Sequence, residues 1–125
     1  MVLDTCAVLW LAFNREKITE ETLSEIDKCP SLIISTMSFW EIGIKIHKKK
    51  LAIPIGFHEL MRLYVSHERV SIVPPDLDII VHALELEWEH RDPVDRIIVA
   101  TALKFDELIV TSDSIICQFF KKTII

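Results

Sequence analysis

The sequence predicts an α/β fold built on a parallel sheet. Short apolar runs alternate along the chain with helix-length amphipathic segments of ten or more residues. Two of those runs, Leu32-Ile33-Ile34 and Leu108-Ile109-Val110, are continuously apolar, as strands covered on both faces by crossover helices require. The prolines fall between the periodic segments rather than inside them, so they separate elements instead of breaking them.

Each element has its own signal. Val2-Leu3 is a short apolar strand, and Thr5 is placed to cap a helical Cys6–Asn14. Thr19–Lys28 carries Leu23 and Ile26 on one helical face. Leu32–Ile34 is the second strand. Ser35 and Thr36, both good N-caps, then introduce a Met37–Lys50 helix. Phe57, Leu60, Met61 and Tyr64 give Phe57–His67 an apolar helical face. Val70–Val73 is strand-like, Pro74-Pro75 stops it, and Asp76 caps a Leu77–Trp88 helix. Asp92-Pro93 opens a helix reaching Phe105, with the acid at the N-cap and proline at N1. Leu108–Val110 is the last strand, followed by Thr111-Ser112-Asp113 and a short amphipathic tail.

A chain of 125 residues, 50% hydrophobic and 26% charged, suits one domain spanning residues 1–125 and is too apolar to remain disordered. Gly43 and Gly56 are the only glycines, which excludes phosphate-cradling loops of the G-x-G-x-x-G or Walker type. Cys6, Cys29 and Cys117 are odd in number and lack C-x-x-C spacing, so they read as free thiols in a reducing compartment. The longest apolar stretch, Ala7–Phe13, falls far short of the ~18–20 residues that span a bilayer. Asp4 interrupts the first apolar run and no positive region precedes it, so no export signal is read and the cytoplasm is the expected location. The net charge of −5 argues against holding nucleic acid by bulk electrostatics.

In open parallel sheets ligands bind at the carboxyl ends of the strands. Asp4 follows the first strand there, Ser35-Thr36 the second and Asp113 the last, while Glu41 and the pair Asp92 and Asp95 sit near helix starts. Carboxylates gathered in one cleft repel each other and take up protons unless a cation neutralises them. Hard oxygen donors of this kind select Mg²⁺ or Mn²⁺, and such an ion turns an anionic hole into a phosphate site. Each acid also has a plain structural role to play. Asp4 and Asp92 are placed as N-caps, and Glu41 is spaced i,i+4 from Lys45 for a surface pair. Asp95 is placed to favour the helix dipole, and Asp113 to serve a turn.

Several blocks of the chain resemble the PIN-domain ribonucleases, specifically the VapC-type toxins of toxin–antitoxin pairs. They are Leu3-Asp4-Thr5, Ser38-Phe39-Trp40-Glu41-Ile42 running on to Lys45, Lys50-Leu51, His90-Arg91-Asp92-Pro93-Val94-Asp95-Arg96, and Val110-Thr111-Ser112-Asp113. The resemblance spans essentially the whole chain, and the His-Arg-Asp-Pro-x-Asp-Arg block is its most specific element. It implies a three-layer α/β/α sandwich, with Asp4, Glu41, Asp95 and Asp113 as metal-binding and catalytic acids and Asp92 as an accessory. It also implies hydrolysis of RNA assisted by Mg²⁺ or Mn²⁺, leaving 5′-phosphate and 3′-hydroxyl ends. A small VapB-like antitoxin and a homodimer are the implied protein partners. Lys45, Arg91 and Arg96 are the candidate contacts to RNA or antitoxin, Arg96 because its planar fork suits anions.

Two other classes compete. A haloacid-dehalogenase-like phosphatase needs a second Asp two residues after the first, where this chain has Cys6. A catalytically silent PIN-like or receiver-like module would bind the metal without cutting RNA. A receiver would have a Lys after the last strand, where Thr111 and Ser112 stand.

Overall fold

The structure is a computed structural model that describes residues 1–125. Five parallel strands, β1 (Val2–Leu3), β2 (Leu32–Ser35), β3 (Val70–Val73), β4 (Ile109–Val110) and β5 (Thr123–Ile124), lie in the order β3-β2-β1-β4-β5. Seven helices connect them: α1 (Thr5–Phe13), α2 (Glu20–Lys28), α3 (Thr36–His47), α4 (Phe57–Val65), α5 (Leu77–Glu85), α6 (Pro93–Phe105) and α7 (Ser114–Phe119).

The strand order explains the three layers. Parallel neighbours need crossovers, and crossovers keep one hand. Stepping outward from β1 to β2 to β3 therefore puts α1 to α4 on one face. Returning past β1 to β4 and β5 reverses the direction and puts α6 and α7 on the other. Side chains alternate along the strands to match. Leu3, Leu32, Ile34 and Val110 pack with Ala7, Val8, Ile26, Phe39, Ile42 and Leu60. Val2, Ile33 and Ile109 pack with Val94, Ile98, Val99, Ala102 and Ile116. The architecture is the α/β/α sandwich around a parallel sheet that the resemblance implied. Helix α5 lies outside these layers, packing Ile79 and Ala83 on Ala100 of α6, and leaves Leu77, Ile80, Val81 and Leu84 exposed.

Several boundaries differ from the sequence reading, each for a physical reason. Helix α1 begins at Thr5 because Asp4, not Thr5, is the cap and accepts from the Ala7 N–H. Ser35 caps α3, accepting from Met37 N–H. Helix α3 stops at His47 rather than Lys50 because Lys49 turns left-handed at φ 56°, and the N–H groups of Lys49 and Lys50 close back onto Ile46 and Lys45. Helix α5 ends at Glu85 rather than Trp88, where Arg96 takes over the last carbonyls. Strand β5 and a 3₁₀ turn at Arg15–Lys17 carry too short a pattern to be read from the sequence.

Candidate active site

The sheet turns back on itself between β1 and β4, which pair in register as Val2↔Ile109 and Leu3↔Val110. The next residues, Asp4 and Thr111, are consequently neighbours at the carboxyl rim, at the switch point where such sheets bind ligands. Asp4 is buried, with only 4% of its surface exposed. Its Oδ1 accepts from Ala7 N–H at 2.6 Å and its Oδ2 from the Thr111 hydroxyl. Burial pushes the Asp4 carboxyl from its ordinary 3.8 up to about 6; the bonds from Thr111 and Ala7 oppose the rise, and the charges of Asp95 and Asp113 add to it.

Asp113 begins α7, accepting at Oδ1 from Ile115 and Ile116 N–H at 2.7 and 3.3 Å, while its own N–H donates to Thr111 Oγ1 at 3.0 Å. Thr111 thereby ties the two strand-end acids together. Asp95 lies in the first turn of α6, and its Oδ2 is 2.6 Å from His90 Nε2. Burial raises the Asp95 carboxyl, His90 pulls it back down, and Asp92 and Asp113 raise it further. Glu41 lies along α3, its Oε1 3.8 Å from Lys45 Nζ. The Cys6 thiol senses Glu41 as well: burial raises it first, then Asp4, with Lys45 opposing and Glu41 and Asp113 adding.

The structure thus brings Asp4, Asp95 and Asp113 within mutual electrostatic reach, with Glu41 at the edge of the group. Asp92 is the N-cap of α6, its Oδ1 accepting from Val94 and Asp95 N–H at 2.9 and 3.1 Å. Lys45 is half-exposed. Arg91 lines a groove of about 360 Å³ with Ile80, Leu84 and Pro93. Arg96 is the one marked departure from the sequence reading. Its five N–H groups all go to main-chain carbonyls: Nε to Ala83, Nη1 to Trp88 and His90, Nη2 to Leu84 and Leu86. A guanidinium committed in this way holds a loop and has no fork left for an anion.

The donor set suits a hard divalent cation. Asp95 Oδ1, Asp113 Oδ2 and Glu41 Oε2 make no hydrogen bond within the protein, and the neighbouring acids add to the rise that burial imposes on the carboxyls of Asp4 and Asp95. No three acid, His or Cys side chains converge closely enough to hold an ion as they stand. The donor chemistry fits such an ion, and Asp4, Asp95, Asp113 and Glu41 are the side chains that would hold it.

Two residues that matter here, Thr111 and His90, stood in the sequence only inside the blocks that carry the resemblance, with no role of their own read for them. Thr111 was legible in principle, because pairing Leu3 with Val110 sets the following residue of each strand side by side. His90 carried no periodic signal at all.

The PIN domain family matches residues 1–122. The chain belongs to that family. Within it, the chain is similar to Ribonuclease VapC22 of Mycobacterium tuberculosis (strain ATCC 25618 / H37Rv), 21% identical over 113 residues that cover 90% of this chain and 86% of the relative. A toxin–antitoxin complex from Klebsiella pneumoniae contains a chain that superposes with a TM-score of 0.70, at 19% identity, covering 99% of this chain and 95% of the other. At that identity the likeness speaks for the fold, so the rim of this PIN domain has to be judged on its own residues. No helix of the chain is long and apolar enough to cross a membrane.

Proposed function

We infer that the chain is a Mg²⁺- or Mn²⁺-dependent endoribonuclease of the VapC type, the toxin of a toxin–antitoxin pair. What carries this reading is the geometry of the rim: Asp4 is buried at the sheet's switch point within electrostatic reach of Asp95 and Asp113, where burial first and those two acids after it raise its carboxyl to about 6. Asp4 and Asp113 serve the fold as helix caps, and a carboxyl buried within reach of two more acids is an environment that a cation would neutralise. Membership of the PIN family and the likeness to a named VapC ribonuclease and to a toxin–antitoxin structure support the same assignment.

Asp4, Asp95, Asp113 and Glu41 are the residues that would hold the ion. When bound, it supplies Lewis-acid polarisation of the scissile phosphate and a more acidic water for in-line attack. The chain's own residues prepare the place for it. Backbone N–H groups and Thr111 fix the orientation of Asp4 and Asp113, and the half-exposed Lys45, paired with Glu41, and Arg91 in its groove beside α6 are the cations that would contact phosphates. An RNA strand is the substrate, a small VapB-like antitoxin is the regulating partner, and a second copy of the chain completes a homodimer. The reading includes a single domain over residues 1–125 and a cytoplasmic location.

The acids' failure to converge unaided favours one rival, a catalytically silent metal-binding module. A fluorogenic RNA oligonucleotide incubated with the purified chain separates the two. Cleavage is expected with Mg²⁺ or Mn²⁺, none in EDTA, and none from a folded Asp95→Asn variant. Metal binding without cleavage would establish the silent module, and undiminished cleavage by Asp95→Asn would remove Asp95 from the chemistry.

A further inference from the structure

The tightest contact at the rim that the nuclease reading does not use joins His90 to Asp95. Their Nε2 and Oδ2 atoms are 2.6 Å apart, as close as a charge-assisted hydrogen bond allows. Asp95 belongs to α6, whereas His90 comes from residues 86–92, which form neither helix nor strand. A side chain on such a segment stays in place only if something holds the segment.

Two separate restraints do so. The Trp88 ring lies against the His90 ring at 4.8 Å between centroids, and Trp88 in turn stacks on Phe119 of α7 at 4.5 Å and 7°. Arg96 pins the main chain, with Nη1 donating to the carbonyls of Trp88 and His90 at 2.7 and 2.9 Å and Nη2 to Leu86 at 2.9 Å. Arg96 directly follows Asp95, so one turn of α6 grips the segment by its backbone and receives its imidazole in return. Loose surface ion pairs have no such scaffold and contribute little. Here the two side chains are only 22% and 19% exposed.

The arrangement commits Oδ2 of Asp95, restricts rotation of the carboxylate, and leaves Oδ1 without a partner. We propose that His90 is a positioning residue that holds Asp95 with Oδ1 presented to the rim shared with Asp4 and Asp113. The proposal rests on the metal-nuclease reading above and assigns that reading's least explained contact. Partners of this kind, one bond removed from the ion, commonly change metal affinity by 10–100-fold.

Titration of the full chain with Mn²⁺, followed by the paramagnetic resonance signal of the free ion, tests it. His90→Leu removes the donor at similar bulk, and His90→Gln restores an N–H near the position of Nε2. Binding weakened by roughly 10–100-fold in the Leu variant and restored in the Gln variant is the expected result. A role of the ring's packing on Trp88 alone would not give that rescue. Unchanged binding by His90→Leu overturns the proposal, and so does tighter binding, which would make His90 a competitor for Asp95. The ¹⁵N resonances of His90 in the wild-type chain give a readout that needs no variant to fold: a proton on Nε2 is expected, and a bare Nε2 overturns the assignment. If the wild type neither binds Mn²⁺ nor cuts RNA, the nuclease reading fails and takes this one with it. If the wild type does both and His90→Leu matches it, only the role of His90 falls.

Discussion

Replacing Asp4 by Asn is expected to make the metal-free protein more stable while ending its activity. Burial raises the Asp4 carboxyl from 3.8 to about 6, a displacement worth roughly 3 kcal/mol between the charged and neutral forms. Because the folded value lies above the unfolded one, the folded chain holds the proton more tightly. This group's contribution to stability is therefore complete below 3.8 and lost as pH rises through about 6. At about pH 7.5 the wild type bears nearly the whole loss, and an uncharged isostere bears none of it. Asn keeps the oxygen that accepts from Ala7 N–H and turns an amide toward Thr111, much as the protonated acid does.

Urea unfolding in EDTA measures the effect. Asp4→Asn should gain up to about 3 kcal/mol at pH 7.5, and its advantage should shrink by roughly 1.5 kcal/mol on moving to pH 5. The comparison of wild type with variant cancels the other titrating groups. Saturating Mg²⁺, at about a hundred times its dissociation constant, should then stabilise the wild type by ~2.7 kcal/mol and leave the variant unmoved. A variant no more stable than wild type at pH 7.5, or one with the same pH dependence, would show that Asp4 is at ease as an anion. The case for a cation site at this rim would then lose its foundation.

Thr111→Val removes the hydroxyl that most lowers the Asp4 carboxyl, so the acid limb of the pH–rate profile should move to higher pH, with Thr111→Ser close to wild type; an unmoved limb refutes the link. Arg96→Ala strips five carbonyl partners from the segment after α5, and urea unfolding should register a loss of about 2–4 kcal/mol, discounted for the partly exposed bonds. Arg96→Lys should recover only part of that, since an ammonium cannot span the same carbonyls; full recovery would mean that charge rather than the fork matters.

Much of the fold was legible because the signals were local. Asp92-Pro93 marked the start of α6, and the strand-like Val70-Ser71-Ile72-Val73 coincides with β3. Where the sequence reading missed, the cause is tertiary. Helix α5 has no glycine to end it, because its terminal carbonyls are satisfied by Arg96 from α6, eleven positions beyond Glu85. Lys49 adopts a left-handed conformation that composition gives no reason to expect of lysine. Arg96 itself was read as an anion contact for the same planar, five-donor fork that the fold uses on carbonyls. Residue chemistry was right there, and only packing could name the partner.

An acid that caps a helix can also stand at the rim where a cation would bind, and the reason is geometric. In a parallel α/β sheet a strand's carboxyl end leads straight into a helix start, so an acid at that junction occupies the cap and the rim at once. Asp4 ends β1 and caps α1; Asp113 follows β4 and caps α7. A carboxylate has two oxygens, and holding one on backbone N–H groups fixes the direction of the other. Asp113 keeps Oδ2 free in this way, while Asp4 gives its second oxygen to Thr111. The helix N-termini add positive partial charge, offsetting some of the cost of the anion before any ion arrives. Capping is then part of the site, since it orders in advance the groups that an ion would otherwise have to order on binding. Glu41 lacks such an anchor. It sits more than a turn inside α3 with Lys45 as its ion-pair partner, so its free oxygen is the least constrained of the set.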